Sequence, residues 1–146
     1  MRYRFLPVVA LLAFGCDASV EVRGRVYRWI DPPASVRGQV LINAPESGLP
    51  SRVEPLAGAK VMLYRSEDGA RRLDPKERAW RDREVSAADG SFTAGGACAG
   101  GSYDMAVTVQ REGCLPLVRR FPYRYEHPEY EMAILLVCSR ESRRKP

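Results

Sequence analysis

The residues able to do chemistry in this 146-residue chain are few: four cysteines (Cys16, Cys98, Cys114, Cys138), one histidine (His127), and the aromatics Trp29, Trp80, Tyr123, Tyr125 and Tyr130. Catalysis needs a nucleophile, a base and an orienting group brought together. The chain has no Gly-x-Ser-x-Gly, no His-Glu-x-x-His, no Gly-rich phosphate loop and no Cys-x-x-Cys, the short motifs that would announce such a site. One His cannot supply a multi-His metal centre. His127 stands in Tyr125-Glu-His-Pro-Glu-Tyr130, where Glu126 and Glu129 could join it around a cation, but a His beside Pro in a polar stretch reads as a surface turn. The expectation is therefore a non-enzyme with no catalytic, metal-binding or cofactor-binding residues and no cofactor. The aromatics read two ways. Exposed, Trp29, Trp80, Tyr123, Tyr125 and Tyr130 form a ligand platform for a glycan; otherwise the tryptophans pack peripheral segments onto the fold and the tyrosines fill strand faces.

The first cysteine has its own context. Residues 1–15 run Met-Arg-Tyr-Arg, then the apolar Phe5–Phe14, then Gly15: a basic region, a ten-residue apolar region and a small residue at a cleavage point, the pattern of an export signal. The apolar run is well short of the ~20 residues that span a bilayer. Cys16 after Gly15 resembles the lipobox of bacterial lipoproteins, which implies cleavage before Cys16 and acylation of its thiol. Ala13 and Phe14 depart from the preferred lipobox residues, and Ala13-x-Gly15 also suits an ordinary signal peptidase that would release a soluble protein. Lipidation is the expectation, with soluble secretion as the alternative. A lipid on Cys16 makes a membrane the first partner, with Asp17 a hint of inner-membrane retention. The location is then extracytoplasmic, on the periplasmic face of the inner membrane or on the outer membrane. Acylation leaves Cys98, Cys114 and Cys138, an odd number for pairing in an oxidising compartment.

Charge excludes more than it assigns. The chain is 28% charged with net +5, and loss of Arg2 and Arg4 with the signal leaves 21 basic against 18 acidic residues. A nucleic-acid partner calls for a basic stripe with interleaved aromatics, whereas Arg and Glu here alternate in the manner of solvated faces. No nucleic acid is expected. The basic run at 140–146 reads as a solvated C-terminal tail.

These residues must be positioned by one domain, since a chain of this length folds around a single core. Period-two alternation recurs along it and helical periodicity is almost absent. Val20, Val22 and Val26 alternate with charges, with Gly24 on the same side; Tyr103, Met105, Val107 and Val109 form the cleanest half-buried strand; Leu117–Tyr125 is a strand that Pro122 confines to an edge or bulge; Lys60–Arg65 and Met132–Val137 read as strands buried on both faces. Asp89-Gly90 between Val85 and Phe92 signals a hairpin. Asp74–Asp82 reads as one short inserted helix, with Asp74 as cap, Pro75 at the first position and Glu77 completing a capping box. Asp31–Pro55 is long for a structureless loop, and Val36–Ile42 within it suggests an additional edge strand. The class is antiparallel all-β.

In order, Val22-Arg-Gly-Arg-Val26, Pro55-Leu-Ala-Gly-Ala-Lys-Val61, Ser86-Ala-Ala-Asp-Gly-Ser-Phe92, Gly101-Ser-Tyr103 with Val107-Thr-Val109, and Gly113-Cys-Leu-Pro116 resemble the motifs of the carboxypeptidase regulatory-like domain family. The resemblance covers about residues 20–138. It implies a seven-stranded Greek-key β-sandwich of prealbumin type over residues 20–139, preceded by the signal at 1–15 and the short tether 16–19, and a non-catalytic accessory or binding module of the cell envelope. The fold also hosts hydrolases with a His/Arg cluster and a C-terminal Tyr-Arg-Gly-Ser motif, which this chain lacks. Eight strand residues between Cys98 and Cys114 extend about 26 Å, too far for a bond unless the Gly-rich loop folds back. The implied Greek key instead brings Cys114 near Cys138, so that either a Cys114–Cys138 disulfide or two buried thiols follows. The partner would be a glycan or another envelope protein.

Overall fold

The computed structural model describes residues 18–43, 48–79, 84–98 and 101–139. Among them the chain forms nine strands and one short helix: β1 (Ala18–Trp29), β2 (Gln39–Ile42), β3 (Val53–Pro55), β4 (Lys60–Tyr64), α1 (Glu67–Arg72), β5 (Glu84–Val85), β6 (Ser91–Cys98), β7 (Tyr103–Gln110), β8 (Leu117–Tyr123) and β9 (Glu129–Val137). They build an all-β sandwich. One sheet runs β2-β9-β1-β3, with β6 sharing the outer edge of β1; the other runs β5-β4-β7-β8. The resemblance implied seven strands; nine stand among the described residues, and β2 and β3 lie in the Asp31–Pro55 insertion. The expected edge strand within Val36–Ile42 is β2, which pairs with β9 only.

Alternation explains the core. Val20, Val22 and Val26 of β1, Met132, Ile134 and Leu136 of β9, and Met105, Val107 and Val109 of β7 all point between the sheets, where they meet Phe92 and Phe121. A buried side chain of this size contributes about 1.5–3 kcal/mol relative to exposure. The strand directions are not all antiparallel as the sequence suggested. β9 lies parallel to β1, from Glu21↔Glu129 to Trp29↔Val137, because the short turn after β8 carries the chain across the sandwich rather than back along the same sheet.

Two further expectations are corrected by what covers the sheets. The helix is Glu67–Arg72, not Asp74–Asp82. Ser66 caps it, its Oγ accepting from the Gly69 N–H at 3.1 Å. Asp74 makes only a local turn, accepting from the Lys76 N–H at 2.9 Å. The chain then runs beside β4, with Arg65 N–H on the Glu77 C=O at 2.8 Å and Ala79 N–H on the Leu63 C=O at 2.9 Å. β5 reaches only Lys60 and Val61, so the rest of that β4 edge had backbone groups in need of partners; satisfying them outweighs helix propensity at 77–79. Residues 80–83 lie outside the described residues. In turn α1 sits on the outer face of the second sheet, where Tyr64, Ala70 and Ala106 form a second apolar cluster with Met62 and Val118. β7 is consequently buried on both faces from Met105 to Val109, not half-buried.

Asp89-Gly90 does reverse the chain: Gly90 N–H bonds the Ala87 C=O at 2.9 Å, Ala87 N–H bonds the Ser91 C=O at 2.8 Å, and Gly90 has φ +79°. The flanking strands nevertheless belong to different sheets, β5 to β4 and β6 to β1, so the turn is a crossing between layers and not a hairpin of one sheet. The exposed Asp89 carboxylate accepts from the Ser91 hydroxyl at 2.6 Å and its N–H at 3.0 Å. These bonds lower its pKa, the hydroxyl contributing most. The stability linked to it is present above the ordinary carboxylate pKa and fades as pH falls through the lowered value. Ser91→Ala should raise the Asp89 pKa toward its ordinary range, as read by NMR titration.

Candidate functional site

The two ends of the sandwich differ in chemistry. At the end where β1 begins, tyrosines close the interior. Tyr123 donates to the Ser19 C=O at 3.3 Å and lies 5.2 Å, ring centre to ring centre, from Tyr103. Tyr130 packs edge-on to Phe121 at 5.2 Å, and its hydroxyl accepts from the Arg124 N–H at 2.8 Å. Tyr and Phe at a sheet end suit this task, since the ring fills the gap and the hydroxyl satisfies a backbone group. At the other end Trp29, half-buried, closes β1 between Val53 and Val137.

This placement corrects the aromatic platform. Tyr123 and Tyr130 are 1% and 7% exposed and present no face to solvent; Tyr125 alone of the tyrosines proposed for it is open, at 53%. Trp29 stands ten residues along β1 from Ser19, about 33 Å away at strand rise. Trp80 lies outside the described residues, as does Cys16. His127 forms an exposed turn with Arg124, its N–H bonding the Arg124 C=O at 3.0 Å, and among the described residues no three His, Cys, Asp or Glu side chains converge on a cation-sized space.

The second pair of cysteines is brought together. Cys114 and Cys138 form a disulfide with sulfurs 2.09 Å apart. Leu115 N–H bonds the Val137 C=O and Ser139 N–H bonds the Gly113 C=O, both at 2.8 Å. The segment after β7 is thus clasped to the end of β9, which ties one sheet to the other at the Trp29 end.

Among the described residues two polar side chains are buried: Thr108, whose Oγ1 has no hydrogen-bond partner, and Ser86, which is fully partnered. Ser86, 4% exposed, donates to the Leu56 C=O at 2.6 Å and accepts from the Ala59 N–H at 2.9 Å, while its own C=O accepts from Gly58 N–H and its N–H bonds the Ala59 C=O. It therefore holds the Pro55-Leu-Ala-Gly-Ala turn that feeds β4. Ser86→Ala should cost about 2–3 kcal/mol in urea unfolding, because two buried backbone groups lose their partner; a cost under about 0.5 kcal/mol would mean that the turn holds itself.

Sequence reading missed one concavity. On the outer face of the first sheet a cleft of about 320 Å³ is bounded by Arg23, Arg25, Tyr27, Leu49, Thr93 and Glu131. Outward positions of three neighbouring strands line it: Arg23 pairs with Thr93 of β6 and with Glu131 of β9. Arg23 also bonds Glu129 at 3.1 Å. The signal that could have found it is the pairing itself, which no single strand encodes. Guanidinium, hydroxyl and carboxylate groups there can hold a polar ligand by hydrogen bonds; Ser91, which also lines the cleft, has its hydroxyl engaged by the Asp89 carboxylate at 2.6 Å.

Among the described residues no helix is long and apolar enough to cross a membrane. No family model matches the chain, and no curated protein matches it. Among solved structures it is similar to 3-chlorocatechol 1,2-dioxygenase from Rhodococcus opacus 1CP, at 12% identity and a TM-score of 0.46, over 83% of this chain and 60% of that one. A likeness of this order assigns no activity, and what stands established for this chain is its class: an all-β sandwich of two sheets.

Proposed function

We propose that this chain is an exported cell-envelope protein, anchored by lipid on Cys16, whose sandwich acts as a non-catalytic binding or structural module of the carboxypeptidase regulatory-like kind. The observation that carries the reading is the Cys114–Cys138 disulfide. Such bonds persist in oxidising compartments and are rare in the cytosol, which agrees with the export-type pattern of residues 1–15. Non-catalytic use is supported by the structural employment of Ser66, Ser86 and Asp89. The family reading is supported by its motif glycines: Gly24 and Gly90 both sit where a side chain would strike backbone.

The geometry adds an orientation to the proposal. β1 begins at Ala18, two residues past Cys16, which is about 7 Å of chain. A diacylated Cys16 therefore holds the tyrosine end against the headgroups and turns the Trp29 and disulfide end outward, where a glycan or an envelope protein would be met.

Mass spectrometry of the mature N-terminus, beside membrane fractionation of wild type and Cys16→Ala, tests the reading. The expected result is a lipid mass on Cys16 and a shift of the variant to the soluble fraction. A water-soluble product with an unmodified Cys16 would remove the anchor; retention of residues 1–15 in the cytoplasm would remove export altogether.

A further inference from the structure

The geometry points to a saccharide site on the outer face of the first sheet: the cleft bounded by Arg23, Arg25, Tyr27, Leu49, Thr93 and Glu131 takes an uncharged ligand of one or two sugar rings. This rests on the reading of the chain as a non-catalytic binding module and names the ligand of that module. The volume, about 320 Å³, stands at the small end of ligand pockets. It suits a small molecule or one end of a glycan and not a folded partner.

Tyr27 carries the inference. The residue is 7% exposed, and a tyrosine hydroxyl buried to that degree ordinarily finds a partner. This one makes no hydrogen bond among the described residues, and it is not one of the sealed polar atoms without a partner, which are Arg28 Nε and Thr108 Oγ1. Its open donor and acceptor therefore belong to the cleft that the residue lines. The Glu131 carboxylate is likewise unpaired among the described residues, because its register partner Arg23 turns instead to Glu129 at 3.1 Å. The Glu131 backbone is fixed, its N–H on the Asn43 side chain at 3.2 Å and its C=O accepting from the Asn43 N–H at 2.7 Å. A free hydroxyl and a free carboxylate are thus held in one cleft.

The groups left open select the chemistry of the ligand. A guanidinium only donates and a carboxylate only accepts, whereas a hydroxyl does both. Arg23 and Arg25 offer the first, Glu131 the second, and Tyr27 and Thr93 the third, so a ligand with several neighbouring hydroxyls answers all of them at once. Net charge is selected against in both signs. Arg23 is already bonded to Glu129, and Arg25 interacts with the Asp89 carboxylate, so a ligand anion would have to displace a protein carboxylate and stand in the same cleft as Glu131. A ligand cation on Glu131 would stand beside Arg23, directly opposite it in the ladder. A zwitterion meets both objections. An apolar ligand would leave the Tyr27 hydroxyl and the Glu131 carboxylate without partners, while Leu49 supplies apolar surface for the C–H face of a sugar ring.

NMR titration tests this on the protein purified from cells expressing residues 1–146, in a detergent without a sugar headgroup, with maltose, cellobiose, lactose and N,N′-diacetylchitobiose as probes. At least one should bind with a Kd on the order of 1 mM and shift the amides of Tyr27, Thr93 and Glu131. Tyr27→Phe should weaken that sugar about tenfold, the upper range for one hydrogen bond, at an unchanged thermal midpoint, because the hydroxyl bonds nothing in the free protein. Glu131→Ala should weaken it at least ~10-fold, since a hydrogen bond to a charged group is lost. Sodium glucuronate, an anion, and glycylglycine, a zwitterion, should both bind more weakly than that sugar. Failure of all four sugars at about 50 mM, well above the expected Kd, would overturn the assignment. So would tighter binding of glucuronate or glycylglycine, or sugar binding that survives both variants. Sugar binding is read whatever the state of Cys16, so its failure and the failure of the lipid anchor are separate results.

Discussion

Gly24→Ala is expected to destabilise the sandwich by about 4 kcal/mol, a large share of the 5–15 kcal/mol that holds a typical domain folded. Gly24 lies midway along β1, paired with Phe92 on one side and Met132 on the other. A Cβ there would come 1.8 Å from the Met132 C=O oxygen, 2.8 Å from its carbon and 3.0 Å from its nitrogen. All three are backbone atoms, so no rotamer change can relieve the collision. β1 and β9 must part at the centre of the sheet, which strains the ladder and loosens Val22, Val26, Met132 and Ile134, all buried in the interior. Overpacking of side chains alone costs about 1–3 kcal/mol; a displaced central strand adds to it. Urea titration should show a lower midpoint at unchanged slope. A loss under about 1 kcal/mol would mean that the two strands separate freely and that their close approach has no structural role.

Removing the disulfide, by Cys114→Ser with Cys138→Ser, should cost about 3.5 kcal/mol on the chain-entropy model for a bond spanning 24 positions. For a domain of this size that corresponds to a fall of roughly 15 °C in Tm. The loss should fall mostly on the unfolded-state side, since the Leu115–Val137 and Ser139–Gly113 backbone bonds remain available to dock the two segments. The double variant is therefore expected to fold with unchanged far-ultraviolet circular dichroism and a lower midpoint. An unchanged midpoint would show that the clasp is redundant; a loss of all β signal would show that the bond is needed to form the fold rather than to stabilise it. In an exported protein the same bond would make stability depend on the redox state of the compartment.

The strands themselves were written in local pattern. Val20-x-Val22, Met105-x-Val107-x-Val109 and the apolar run ending at Val137 each announce their element, because side-chain alternation is a property of one strand and needs no partner. Pro122 marked an edge strand for the same reason: a missing N–H can be tolerated only where nothing pairs. Export and lipid attachment are likewise proposed from residues 1–16 alone.

Only the tertiary structure decided how those strands are distributed. Asp89-Gly90 encodes a reversal, but whether its flanks join one sheet or two depends on β4 and β1, both more than 20 residues earlier in the chain. The helix moved from Asp74–Asp82 to Glu67–Arg72 because the open edge of β4 recruited residues 77–79, a demand invisible to local propensity. Tyr123 and Tyr130 look the same in sequence as the exposed Tyr125; burial separates them, and burial belongs to the assembled layers. Periodicity is local and travels with the sequence, whereas pairing, cover and enclosure are relations between distant segments that exist only once the chain has folded.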